Sequence, residues 1–154
     1  MKHVTECIVL SEDGQQVVLG VKQRGFGAGK LVGYGGKLEE NETIAAGAAR
    51  ELYEETGIHT APNHLDEVAV LTFIFPARPD WNIIIHVFLV SDWTGEPTAS
   101  AEITAEWHDR DAIPYDRMWD DARIWMPRIL NGERLRATFV YADDCETVQA
   151  YRIV

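Results

Sequence analysis

Apolar residues fall into short β-type runs, interrupted by one long stretch of helical periodicity. Cys7-Ile8-Val9-Leu10 and Val17-Val18-Leu19-Gly20-Val21 flank the turn pair Asp13-Gly14 and predict two strands joined by a hairpin. Leu31 to Tyr34 reads as a short strand or loop running into the glycines at 33, 35 and 36. From about Thr43 to Thr56, Ile44, Ala48, Leu52 and Tyr53 recur at helical spacing, and the alanine-rich run 45–49 has high helix propensity. Asn41 or Thr43 can cap this helix, Glu42 suits its positive end, and Gly57 stands where a left-handed residue closes a helix.

Beyond Pro62-Asn63, Glu67 to Phe75 is rich in aromatic and β-branched residues and predicts a strand. Pro76 and Pro79 mark a loop before Asn82 to Val90, which is apolar enough for a buried central strand. His86 within it reads as a core histidine with satisfied partners rather than a ligand. Asp92 to Ala101 is a loop, Glu106 to His108 a short strand, and Asp111-Ala112-Ile113-Pro114 a turn. Asp120 to Leu130 predicts a second helix that Pro127 kinks or breaks. Thr138 to Tyr141 and Val148 to Ile153 form a closing hairpin around Asp143-Asp144. Mixed strands with two helices give an α/β class, and residues 1–154 show no linker, repeat or low-complexity tract that would divide a single domain.

Charge changes the picture at the first helix. Glu51, Glu54 and Glu55 lie three and four apart, so they share one helix face with only Arg50 to offset them. Like charges this close repel, and a bound hard cation such as Mg²⁺, which prefers carboxylate oxygen and water, offsets that repulsion. The net charge of −11 argues against polymeric nucleic acid and anionic membrane as partners. Yet Val21 to Leu38 holds Lys22, Arg24, Lys30 and Lys37 with no acidic residue, a patch suited to phosphate. Two cysteines, Cys7 and Cys145, make neither a disulfide framework nor a metal site and fit a reducing cytoplasm. No apolar run reaches the roughly 18 residues of a membrane span, and the start lacks the apolar core of a signal peptide.

The pieces combine into one pattern. Gly36, five residues, Glu42, seven residues, Arg50-Glu51-Leu52, one residue, Glu54-Glu55, one residue, and Gly57-Ile58 reproduce the Nudix box without a mismatch. The chain therefore resembles the Nudix hydrolases, and in particular their MutT-like branch acting on oxidised purine nucleoside triphosphates (8-oxo-dGTP diphosphatases). Arg24-Gly25-Phe26-Gly27-Ala28-Gly29-Lys30, Phe73 with Phe75, His86-Val87-Phe88, and Met118-Trp119 with Trp125 extend the likeness over most of the chain.

That resemblance implies an α/β/α sandwich around a mixed β-sheet and a Mg²⁺-dependent hydrolysis, with Mn²⁺ as a substitute. It implies Gly36, Glu51, Glu54, Glu55 and Glu102 as metal ligands, the first through its carbonyl. Glu54, Glu55, Glu102 and Arg50 would form the catalytic set, Arg50 by orienting a neighbouring carboxylate and Glu42 by fixing the loop-to-helix geometry. Glu102 competes for its role with Glu106, which falls inside a predicted strand. Lys22, Phe26, Phe73, Phe75, Trp119 and Asp121 are the implied substrate-binding residues. Val32 stands where the branch carries a base-reading asparagine, and Ala122 where it carries a second aspartate, so a broader purine preference is expected. The expected protein is a cytoplasmic monomer or weak homodimer that takes a nucleoside triphosphate. The alternatives are a Nudix hydrolase of a pterin triphosphate or dinucleoside polyphosphate, and a catalytically silent nucleotide-binding module.

Overall fold

The computed structural model describes residues 1–154. Its strands are β1 (Lys2–Leu10), β2 (Gln16–Val21), β3 (Leu31–Val32), β4 (Asp66–Ile74), β5 (Ile83–Val90), β6 (Glu106–Asp109), β7 (Leu135–Tyr141) and β8 (Val148–Ile153). The helices are α1 (Ile44–Thr56) and α2 (Ala122–Leu130). The strands join in one mixed sheet in the order β3-β2-β1-β5-β4-β7-β8, with β6 added beside β2. β1 runs parallel to β5 and β4 parallel to β7, while the remaining pairs are antiparallel.

Strand alternation divides the core between the two faces of the sheet. Ile8, Val17, Leu19, Leu71, Phe73, Val87 and Phe139 pack on the face covered by Trp125, Met126 and Ile129 of α2. Their neighbours Cys7, Val9, Val18, Phe88 and Val90 pack on the other face against Ala48 and Leu52 of α1. Leu52 is fully buried, a removal of apolar surface from water that stabilises by roughly 1.5–3 kcal/mol. The sheet thus lies between two helices, the α/β/α arrangement that the family resemblance implies.

Helix α1 begins and ends as its sequence predicts. Thr43 is the cap, its Oγ1 accepting from the Ala46 amide at 3.1 Å, while Asn41 takes a left-handed turn position at φ 64°. Gly57 closes the helix at φ 79°, its amide donating to the Tyr53 carbonyl.

Other expectations need correction. β1 begins at Lys2 rather than Cys7, because eight of its residues pair in parallel with β5. β7 starts at Leu135 rather than Thr138 through the same kind of pairing with β4. α2 starts at Ala122, and Pro127 neither kinks it apart nor ends it. The one bond a proline there forgoes is to the Arg123 carbonyl, and Arg123 is exposed. His86 is a core histidine but only half satisfied. Its Nε2 meets His3 Nδ1 at 2.9 Å, whereas its buried Nδ1 has no hydrogen-bond partner and lies 3.7 Å from Glu67 Oε1.

Candidate active site

The glycine turn ahead of α1 lies directly on β1. A side chain on Gly35 would begin 1.7 Å from the Thr5 carbonyl oxygen, so only glycine lets the two backbones approach this closely. The Gly35 amide then donates to Glu55 Oε1 at 2.8 Å and ties the end of α1 to the loop. Gly36 gives space to a second carboxylate, since a Cβ there would meet the Glu51 carboxyl at 2.6–2.8 Å. The Gly36 carbonyl, expected to face a cation, accepts from the Thr5 amide at 3.0 Å and weakly from its hydroxyl at 3.4 Å.

Arg50 organises the acidic face. Its Nε and Nη2 grip Glu42 as a fork at 2.7 and 3.0 Å, while Nη1 donates to Glu51 at 3.0 Å and Glu54 at 3.3 Å. Nη2 also donates to the Lys37 carbonyl at 3.1 Å, which binds the preceding loop to the helix. Hydrogen bonds from Arg50 and the Glu39 amide hold the Glu42 carboxyl down at about 2. The same contacts raise Arg50 above its ordinary value, so this cation stays charged.

Glu55 behaves differently from its neighbours. Burial pushes its carboxyl up to about 7, the charges of Glu51 and Glu102 push the same way, and the Gly35 amide and Lys22 oppose them. The segment carrying Glu102 is pinned to the end of β2: the Gln23 amide donates to the Glu102 carbonyl at 2.8 Å, and Lys22 bridges to Ile103. The exposed Glu102 side chain pairs with Arg24 at 3.0 Å. Glu106, by contrast, is fixed within β6 by a two-pronged pair with Arg117 at 2.9 Å and a bond to His108 at 3.0 Å.

The donors in this group are carboxylate oxygens, the ligands hard divalent cations prefer. Burial of Glu55 beside two like charges is a cost that a dication would relieve. Arg50 rather than a shared centre holds Glu51 and Glu54, and no three acidic, histidine or cysteine side chains close on one point. By its chemistry the donor set fits such an ion.

A second group gathers on the α2 face of the sheet. Phe26, 44% exposed, stacks on Trp119 with centroids 5.3 Å apart. Lys30 lies 5.1 Å from the Trp119 ring and pairs with Glu146 at 2.6 Å. Phe75 stacks on Tyr141 at 4.7 Å and meets Trp119 edge-on, whereas Phe73 lies deeper against Phe139. Asp121 is only 5% exposed, with one oxygen bonded to the Tyr141 hydroxyl and the other to Trp125 Nε1 at 2.7 Å. Burial nonetheless raises its carboxyl above the usual range.

The structure therefore brings Gly36, Arg50, Glu51, Glu54 and Glu55 together along α1 and its preceding loop, and joins Lys22 to the segment carrying Glu102 at the end of β2. It brings Phe26, Phe75, Trp119 and Asp121 into one aromatic cluster and leaves Phe73 mainly in the core. Sequence reasoning missed Tyr141, twenty residues from the aspartate it holds, and Glu6, a half-buried acid of β1. The β-branched Val4-Thr5 pair ahead of Cys7 is the signal that would have carried the strand back through Glu6.

Comparison with known proteins gives concordant likenesses. A family model described as the NUDIX domain matches residues 1–129. The mouse oxidized purine nucleoside triphosphate hydrolase is 37% identical over 146 residues, covering 95% of this chain and 91% of the mouse protein. The zebrafish protein of the same description is 37% identical over 134 residues, covering 87% and 84%. The crystal structure of a MutT protein from Bacillus halodurans superposes with a TM-score of 0.80 at 26% identity, covering 99% of this chain and 97% of that one.

Proposed function

The chain belongs to the NUDIX domain family, and on that premise we propose that it hydrolyses purine nucleoside triphosphates, oxidised ones such as 8-oxo-dGTP included, to the monophosphate and pyrophosphate. Its reading as a nucleotide-pool sanitation enzyme draws support from the activity in the names of the mouse and zebrafish relatives. The single observation that carries the assignment is Glu55, half-buried and held by the Gly35 amide at 2.8 Å on the helix face it shares with Glu51.

Glu51, Glu54, Glu55 and Glu102 would hold the divalent ion, which we assign as Mg²⁺ with Mn²⁺ able to replace it. Such an ion supplies a more acidic bound water and polarised phosphoryl oxygens. The chain's own residues do the rest. Arg50 sets the rotamers of Glu51 and Glu54 through its two short bonds. Lys22, at the end of β2 next to the segment carrying Glu102, offers a cation to the triphosphate. Trp119 and Phe26 present aromatic faces on which a base stacks. Water adds to phosphorus, the α–β anhydride bond breaks, pyrophosphate leaves, and the water's proton passes to a carboxylate, for which Glu102 is the accessible candidate. In this reading residues 1–154 work as one domain, as a cytoplasmic monomer or weak homodimer.

The test is a panel of 8-oxo-dGTP, dGTP, dATP, dCTP, a pterin triphosphate and a dinucleoside polyphosphate, each with its products identified. Purine triphosphates should lead in kcat/KM and release pyrophosphate. A lead by dCTP, the pterin or the dinucleotide would overturn the assignment.

A further inference from the structure

Glu6 is a carboxylate placed where the sheet otherwise presents apolar side chains. Ile8, two residues on, packs into the core beneath α2, so alternation along β1 turns Glu6 toward the same face. Its Cγ lies 2.8 Å from where a side chain on Gly33 would begin, so the space it occupies exists because residue 33 is glycine. Part of its surface still reaches solvent. The Asp121 charge acts on its carboxyl, and no side-chain hydrogen bond or ion pair engages it.

The polar inventory of the cleft makes Glu6 stand out. Both oxygens of Asp121 already accept from Tyr141 and Trp125. Val32 and Ala122 offer no hydrogen bond at all. Glu6 is the carboxylate left with acceptor capacity, which a ligand's donors can engage in place of water.

We infer that Glu6 is a specificity-determining residue of the base cleft, its carboxylate accepting from the adjacent ring imino and exocyclic amino hydrogens of a guanine-type base. The inference rests on the purine triphosphate reading and names the group that recognises the base. Two parallel N–H donors match two carboxylate oxygens. Hypoxanthine lacks the amino group and forfeits one bond. Adenine sets an unprotonated ring nitrogen against the carboxylate and forfeits more.

Equilibrium binding of dGMP, dIMP and dAMP to the wild type, Glu6→Gln and Glu6→Ala tests this without turnover. The wild type should bind dGMP roughly tenfold or more tightly than dIMP and dAMP, the scale of a hydrogen bond to a charged group. Both variants should bring the three ligands together to within about threefold, with Glu6→Gln keeping a cooperative melt. A wild type without preference, or a preference unchanged in both variants, overturns the inference. Metal-dependent release of pyrophosphate from dGTP, measured on the same preparations, separates the two readings. Turnover with a base profile indifferent to Glu6 overturns this inference alone. Glu6-dependent binding without turnover overturns the hydrolase reading alone.

Discussion

Gly36 and Glu51 compete for one space: a Cβ on residue 36 would stand 2.6 Å from the Glu51 carboxyl carbon. Gly36 does not have a positive φ, so its backbone accepts alanine. The atoms it would displace are the end of a flexible side chain. Gly36→Ala should therefore change stability by less than ~1 kcal/mol, since the carboxylate swings aside. It should lower kcat on the order of a hundredfold, because a displaced ligand of about an ångström costs that much in a positioned site. Melting curves and steady-state rates on one preparation check both halves.

Arg50 holds Glu42, Glu51 and Glu54 with a planar fork that a lysine cannot copy. Arg50→Lys should keep the positive charge yet lose the shared grip. The expected result is a kcat lowered by about tenfold or more and a higher Mg²⁺ concentration at half-maximal rate. A magnesium titration of the rate in wild type and variant measures it.

Glu102 and Glu106 carry the same side chain in different settings. Glu102→Gln should lower kcat by about tenfold or more with little change in KM. Glu106→Gln breaks a partly exposed pair with Arg117, so it should cost under ~1 kcal/mol of stability and leave kcat near wild type. Equal effects on kcat would remove Glu102 from the site.

Glu6 also leaves a signature in stability against pH. Burial first, and then the Asp121 charge, raise its carboxyl from an ordinary 4.5 to about 7 in the folded chain. A raised folded value means that the native state binds the proton more tightly than the unfolded chain. This group's contribution is therefore full below pH 4.5 and is lost as pH rises toward 7. Glu55 titrates in the same window, so the comparison is a difference. Wild type should lose more stability than Glu6→Gln between those limits, measured by denaturant unfolding at each pH.

Local chemistry and the two hairpins were legible in the sequence, and the parallel pairings of β1 with β5 and β4 with β7 were not. Helix α1 was readable because its cap Thr43, its apolar spacing and its Gly57 terminus are all decided within a few residues. The acidic face was readable for the same reason. Arg50's reach back to Glu42 and Lys37 was only partly so, because it depends on how the preceding loop folds over the helix. The start of β1 was misplaced because a polar residue, Glu6, interrupts the apolar pattern, whereas the strand's true start is set by its parallel pairing with β5. The partners of Asp121 were hidden for a similar cause: Tyr141 reaches it from β7, at the far end of the chain.

The central claim is that the carboxylates of α1 support metal-dependent cleavage of a purine nucleoside triphosphate. The measurement that reaches it most directly is pyrophosphate release from 8-oxo-dGTP by wild type and Glu55→Gln, each with Mg²⁺ and with EDTA. Wild type should turn over with Mg²⁺ and stop with EDTA. Glu55→Gln should retain the fold and lose on the order of a hundredfold or more in rate, equivalent to ~3 kcal/mol of barrier. Turnover that survives EDTA, or a folded Glu55→Gln protein that matches wild type, would contradict the account.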